Sequence, residues 1–320
     1  MKALLAAYSI KPETTRGIKK VTAFRSVTCN ACGHSGHRQL TIVGDYRVVR
    51  CERCSLIFVN PMPFFAKDGF DSVSDGFYYT ADQRDFSTAK ISHAKKAFAA
   101  QSAEWEQLLP NSSDRTLLDV GCGTGVFVDA AVHQGWHAEG CDIDASLVSL
   151  GVNNFGVKLS HIDFLDREYG DAAFDVVLFR YVLEHLPNPF EALEEARRVL
   201  KPGGLVQIIV PNEAGAFNRL NLMSGSKKKG RWGTLTPPHH LHAYTPKTLS
   251  MVIRRAGLIV QRISSVSPYR FPYALYQGQQ GGNLSAAEAT MFSVAEKLGF
   301  GSAIVAYGQK PACASRRSAA

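Results

Sequence analysis

The stretch Leu117-Leu118-Asp119-Val120-Gly121-Cys122-Gly123-Thr124-Gly125 constrains this chain more than any other. The apolar run Thr116 to Val120 has the composition of a buried strand. It ends in alternating glycines, and Val126 to Gln134 then has helical composition. Glycines at a strand-to-helix turn let the main chain approach a bound molecule more closely than side chains would allow. The start of the helix leaves N–H groups without intrahelical partners. The G-x-G-x-G spacing differs from the G-x-G-x-x-G of dinucleotide-binding turns, and the loop alone does not fix a ligand.

The residues that follow extend the pattern. Trp136 to Cys141 reads as a second strand reaching Asp142, 23 residues after Asp119. An acidic residue at that position suits a ribose hydroxyl. Val157 to Ser160 is a third strand, leading to Asp163-Phe164, a carboxylate beside a ring that can flank a purine. Phe174 to Phe179 is a fourth, apolar enough for burial on both faces. Then come Leu183-Glu184-His185, a helix over Phe190 to Leu200, Lys201-Pro202-Gly203-Gly204 and the strand Leu205 to Val210. In that helix Phe190, Leu193, Ala196 and Leu200 form the inward stripe, and Glu194 and Arg198 an outward i,i+4 pair. Such alternation predicts an α/β fold with a largely parallel sheet and right-handed crossovers.

Taken in order, Leu-Asp-Val-Gly-Cys-Gly-Thr-Gly, Gly-Cys-Asp, Phe-Asp-Val-Val, Leu-Glu-His and Arg-Val-Leu-Lys-Pro-Gly-Gly resemble a class I S-adenosylmethionine-dependent methyltransferase, from about Thr116 to Gly308. The resemblance implies a Rossmann-like seven-stranded sheet, with Leu258 to Val266 and Ser302 to Gly308 as an antiparallel pair at one edge. It also implies a cofactor set of Asp119, Gly121, Cys122, Gly123, Gly125, Asp142, Ile143, Asp163, Phe164 and Arg180. Within that set Asp119 orients the amino end of S-adenosylmethionine, Asp142 accepts from its ribose, and Asp163 accepts from the adenine amino group with Phe164 alongside.

Of seven cysteines, four form Cys29-x-x-Cys32 and Cys51-x-x-Cys54, with 18 residues between the pairs. This is the spacing of a four-thiolate structural zinc site. Two disulfides are the alternative, and they need an oxidising compartment. The ribbon would span residues 24–63, too short for a core of its own, so the metal would supply folding energy. Leu40 to Val43 and Tyr46 to Val49 around Gly44-Asp45 read as a hairpin, and Ser55 to Pro61 as a further strand. Methyltransferases acting on sugars and related small molecules look similar, with a C-x-x-C pair module ahead of the catalytic domain.

The remaining chain divides into a basic arm (residues 1–23), an aromatic loop and helical cap (64–115), the methyltransferase domain (116–310) and a tail (311–320). The aromatics between Phe64 and Thr80 suit either a loop over the cofactor edge or packing of the ribbon. Asp82 to Leu109 has helical spacing. Insertions at 211–245 and 267–300 follow strands on the ligand side of an open sheet and are expected to form a substrate lid. The first holds Lys227-Lys228-Lys229 with Arg231, either a solvated loop or a phosphate contact. The second ends in a short helix, Ala286 to Leu298. No run reaches the length of a membrane span, the N-terminus lacks a convincing signal-peptide cleavage site, and a cytoplasmic location is expected.

Methyl transfer from a sulfonium needs alignment, exclusion of water and, for a hydroxyl or carbon acid, a base. His185 and His240 are the candidate bases, since histidine titrates near neutral pH. The bland alternatives are a hydrogen-bonded structural histidine and a loop anchor. Thr245-Pro246 is expected to start a helix over Lys247 to Ala256 as N-cap and first residue. A catalytic metal on His239, His240 and His242 is disfavoured, because no carboxylate lies nearby in the sequence. The expected activity is methylation of an oxygen or carbon of a small-molecule acceptor: a sugar, a saccharide or glycolipid precursor, or a quinone-like metabolite. An RNA methyltransferase gripping nucleic acid through the ribbon is the alternative, consistent with a net charge of +8. Against it, the ribbon lacks basic residues interleaved with exposed aromatics, and Asn-Pro-Pro-Tyr is absent after the fourth strand. The sequence says nothing about oligomeric state.

Overall fold

The structure is a computed structural model that describes residues 21–65, 86–111, 113–216, 233–267 and 286–312. Residues 1–20 of the basic arm, most of the aromatic stretch, Lys227 to Lys229, Arg231, Cys313 and the rest of the tail lie outside the described residues.

Five short strands come first: β1 (Val21–Arg25), β2 (His37–Val43), β3 (Tyr46–Cys51), β4 (Ile57–Val59) and β5 (Met62–Phe65). β2 and β3 form the expected hairpin, with Val43 opposite Tyr46 and Thr41 opposite Val48. β4 adds to β3, and β1 pairs with β5 in a separate two-stranded sheet.

Helix α1 (Thr88–Glu106) follows, capped by the Ser87 side chain accepting from Lys90 N. The chain then alternates β6 (Thr116–Val120), α2 (Val126–Val132), β7 (His137–Asp142), α3 (Ala145–Phe155), β8 (Lys158–His161), β9 (Phe174–Arg180), α4 (Pro189–Val199) and β10 (Leu200–Pro211). After it come β11 (His242–Ala243), α5 (Pro246–Arg255), β12 (Ile259–Val266), α6 (Ala286–Lys297) and β13 (Ala303–Gln309). The seven-stranded sheet has the order β12-β13-β10-β9-β6-β7-β8. Its pairs are parallel from β10 to β8, and β13 runs antiparallel to both β10 and β12. This is the sheet that the motif order implies, including the antiparallel edge.

Alternate residues of the central strands supply two cores. Leu117, Val176 and Leu178 face α1 and α2, where Phe98, Trp105, Phe127 and Trp136 pack with neighbouring ring centroids 5.3–5.6 Å apart. Leu118, Val120, Val177 and Phe179 face α4 and α5 and share one continuous core with Val49, Leu56, Phe58 and Met62 of the ribbon. The ribbon therefore completes one face of the sheet domain.

One surface pairing differs from expectation. Arg198 turns away from Glu194 and pairs with buried Glu195 and with Asp171. Glu195 sits inside the apolar stripe of α4, where a carboxylate without a cation would be costly, and Arg198 supplies that cation.

Candidate active site and metal centre

The order of strand addition reverses between the parallel neighbours β6 and β9, and in open α/β sheets ligands bind outside the carboxyl ends of strands at such a switch point. The glycine loop occupies that place. Gly121 and Gly125 both have φ +70°, and a Cβ would lie 2.5 Å from Val182 Cγ2 at the first and 2.8 Å from Leu159 Cδ1 at the second. Any other residue would need a left-handed backbone and displaced neighbours. Asp142, at the tip of β7, braces the loop: its Oδ2 accepts from Gly123 N at 2.8 Å and its Oδ1 from Asp144 N at 2.9 Å. A carboxylate offers about four lone-pair sites, so Asp142 keeps capacity for further donors.

Asp119 and Asp142 are both buried, and burial raises each carboxyl to about 6. At Asp119 the nearby Arg180 guanidinium opposes that rise, and at Asp142 the backbone donors do. Arg180 itself lies over the Phe127 ring, 3.7 Å from its centroid. Ile143, directly after Asp142, is a large apolar side chain left 39% exposed, and the Cys122 side chain sits half-buried in the glycine loop. Asp163 is the N-cap of a short 3-10 helix, accepting from Leu165 N at 3.0 Å. The Phe164 ring is buried against Phe179 and Tyr169. Tyr181, the first residue after β9, is held at φ +59°, a conformation that costs a non-glycine residue about 1–2 kcal/mol.

Two segments far apart in sequence meet beyond β9. Leu241 N and His242 N donate to Glu184 O at 2.8 and 3.3 Å, which brings His240 beside His185, with ring centroids 4.7 Å apart. His185 Nδ1 donates to His239 O at 3.0 Å and His240 Nδ1 donates to Thr234 O at 2.8 Å. A carbonyl only accepts, so both rings carry the proton on Nδ1 and the lone pair on Nε2. The Glu184 carboxylate joins them, with Oε1 3.9 Å from His185 Nε2. This corrects the expectation that no carboxylate lies near the histidines. It also changes the set, since His242 faces elsewhere: its Nε2 lies 3.2 Å from Asn30 Nδ2 and its ring stacks on Phe58. Burial drives His242 down to about 3 and keeps it neutral. In the sequence Glu184 belongs to the Leu-Glu-His motif and has no expected site role of its own. Its only signal is adjacency to His185, which says nothing about a partner 56 residues on.

The four ribbon cysteines converge. Their sulfurs lie within 4.8 Å of one another, with Cys29–Cys54 at 3.4 Å and Cys32–Cys51 at 3.6 Å. Four thiolates at about 2.3 Å from a tetrahedral zinc stand about 3.8 Å apart, so the set fits such an ion. Disulfide bonding requires about 2.0 Å, and all four are free thiols. Each pair sits on the same turn. Gly33 N donates to Cys29 O, and Ser55 N donates to Cys51 O; Cys29 N and Cys51 N donate forward to His34 O and Leu56 O. Gly33 and Ser55 both have positive φ. The hydrogen bond between Cys29 and Cys54 lowers the Cys54 thiol to about 5 and raises Cys29, as expected where two sulfurs share one proton.

The ribbon and the histidine segment are one assembly. β11 pairs with β4, His242 opposite Phe58, so the chain carrying His240 is the fourth strand of the ribbon sheet. Arg255 of α5 donates to Cys29 O and Asn30 O and lies over the Phe190 ring, 3.8 Å from its centroid. Thr245 and Thr248 form a reciprocal capping box at the start of α5, with Pro246 as its first residue, which is the helix start that the sequence predicts.

A methyltransferase-domain family model matches residues 93–263, more than half of the chain, and the protein belongs to that family. It is 28% identical over 160 residues, 48% of this chain and 66% of the other, to a ubiquinone biosynthesis O-methyltransferase of Aeromonas salmonicida (strain A449). It is 35% identical over 96 residues, 28% of this chain and 40% of the other, to a demethylmenaquinone methyltransferase of Staphylococcus aureus (strain MRSA252). The chain spans about two fifths to two thirds of the length of the curated relatives it matches. Among solved structures it is similar to a SAM dependent methyltransferase from Archaeoglobus fulgidus, at 19% identity and a TM-score of 0.47, over 68% of this chain and 94% of that one. No helix among the described residues is long and apolar enough to cross a membrane.

Proposed function

We propose that this chain transfers a methyl group from S-adenosylmethionine to an oxygen or carbon of a small-molecule acceptor. The observation that carries the reading is the pairing of a bare glycine turn after β6 with a buried carboxylate, Asp142, at the tip of β7. When bound, the cofactor supplies a methyl group already activated by its sulfonium. Asp142 holds the ribose hydroxyls, Ile143 covers an apolar face, Asp163 meets the adenine edge through the oxygen not used in capping, and Asp119 with Arg180 orients the amino-acid end. His185 and His240 lie beyond the end of β9, on the acceptor side. Each has its tautomer set by a backbone carbonyl, so Nε2 is the atom that would take the acceptor's proton. The relatives' names, ubiquinone biosynthesis O-methyltransferase and demethylmenaquinone methyltransferase, favour a small metabolite. The finer reading, a sugar or saccharide precursor, rests on the likeness of the C-x-x-C module to those of sugar-modifying methyltransferases. In the ribbon, Cys29, Cys32, Cys51 and Cys54 hold a structural zinc.

Replacing Asp142 by Ala removes two charge-assisted hydrogen bonds of about 1.5–3 kcal/mol each. The cofactor dissociation constant should rise on the order of a hundredfold by calorimetry, and unchanged affinity would overturn the assignment. Incubation with labelled cofactor and either fractionated small metabolites or total RNA tests the acceptor class. Label entering RNA, with steeply salt-dependent retention, would replace the small-molecule reading.

A further inference from the structure

We infer that Glu184, His185 and His240 form a site for a divalent transition-metal ion on the acceptor side of the proposed methyl-transfer centre. The inference depends on that reading for what the ion does, but not for whether it binds.

Three observations converge. The ligand atoms of the three residues lie within 4.8 Å of one another. Both histidines donate Nδ1–H to main-chain carbonyls, an arrangement that fixes the ring and presents Nε2, as in metal-ligating histidines with their usual outer partner. The third is the strongest. The Glu184 side chain is 1% exposed, and neither carboxylate oxygen has a hydrogen-bond partner among the described residues. A buried carboxyl group whose two oxygens lack hydrogen bonds is costly in either protonation state. The surrounding chain nonetheless spends two main-chain hydrogen bonds, Leu241 N and His242 N to Glu184 O, on holding this residue against the histidine segment. A cation bridging the carboxylate and the two imidazoles removes the anomaly.

The donor set selects the ion class. Two imidazoles and one carboxylate suit zinc, iron(II), cobalt(II) or manganese(II) more than magnesium or calcium, which prefer oxygen ligands throughout. Three protein ligands leave positions open, as in catalytic rather than structural sites. An acceptor hydroxyl placed in an open position would be acidified. Its O–H bond breaks, the electron pair stays on the coordinated oxygen, and the proton passes to water. A nitrogen lone pair engaged with the ion cannot also take a proton. With the ion bound, His185 and His240 therefore act as ligands and not as direct bases.

Full-length protein, isolated with zinc on its cysteine cluster, is dialysed against Co²⁺ and the bound cobalt counted. Wild type should take up one cobalt beyond its zinc, without the charge-transfer band that thiolate ligation produces. Glu184→Gln and His240→Asn should each weaken that uptake roughly a hundredfold or more, since outer partners alone are worth about 10–100-fold. Their zinc content and S-adenosylmethionine affinity should match wild type, which also shows that they fold. No cobalt uptake by wild type would overturn the site without any need for variants. Uptake with a thiolate band, or uptake undiminished in both variants, would overturn it equally. Calorimetry in the same samples separates the two readings: cofactor binding without cobalt sinks the metal site alone, and absence of cofactor binding sinks the methyl-transfer reading whatever the cobalt does.

Discussion

In the seven-stranded sheet, every residue of β9 except the last is buried, and apolar side chains cover both faces. In the ribbon, β2 leaves Arg38, Gln39 and Ile42 exposed and contributes Val43 as its only fully buried residue. The first sheet can be stabilised by the apolar area it hides. The second cannot, and it compensates with four converging thiols and one shared face. The two are nevertheless joined at one segment, because the strand bearing His242 belongs to the ribbon sheet while its neighbour His240 sits beside His185 of the sheet domain. On the proposed reading, the cysteine-bearing sheet therefore shapes the acceptor side of the site, and the apolar seven-stranded sheet shapes the cofactor side.

The largest way to break this contrast is Cys51→Ser. Apparent metal-binding free energies of four-ligand zinc modules are about 10–16 kcal/mol, so loss of one thiolate should release the ion and melt residues 21–65. Hydrogen exchange should lose protection in β2 to β4 and at His242–Ala243, while cofactor affinity persists. Concerted unfolding of both sheets would show that the division is wrong. Leu118→Ala does the reverse: it should cost about 2–5 kcal/mol in denaturant unfolding and leave the metal-to-protein ratio unchanged.

A smaller effect separates the cofactor side by pH. Asp119 and Asp142 have carboxyls raised to about 6, and both are proposed to act as acceptors in the ionised form. Full affinity for S-adenosylmethionine is therefore expected above about pH 7, with a loss of about tenfold per group at pH 5. Stability of the free protein moves the other way: a folded pKa above the unfolded value stabilises at low pH, and that contribution is lost as pH rises through 6. Calorimetry and thermal melts over this range should diverge, and affinity flat down to pH 5 would remove both carboxylates from the site. Smallest of all, Arg255→Ala should cost about 0.5–1 kcal/mol, because its bonds to Cys29 O and Asn30 O come from an exposed side chain. Faster release of the ribbon metal to a chelator is the readout.

Much of this was legible in order along the chain. The glycine turn, the strand tips at Asp119 and Asp142, the hairpin around Gly44-Asp45 and the Thr245 cap all rest on signals a few residues long, and the structure has each of these elements. The partnership of Arg198 was misassigned because an i,i+4 rule counts spacing and not burial, whereas Glu195 inside the stripe has the stronger claim on a cation.

By itself, then, the sequence determined the order of strands and helices, the glycine cradle and the pairing potential of the four cysteines, because periodicity, turn chemistry and ligand spacing act locally. Only the tertiary structure decided that β11 joins the ribbon sheet and that Glu184 and His185 meet His240. Those contacts join residues whose neighbours in sequence carry no trace of one another. They follow from how two differently stabilised sheets share a single core.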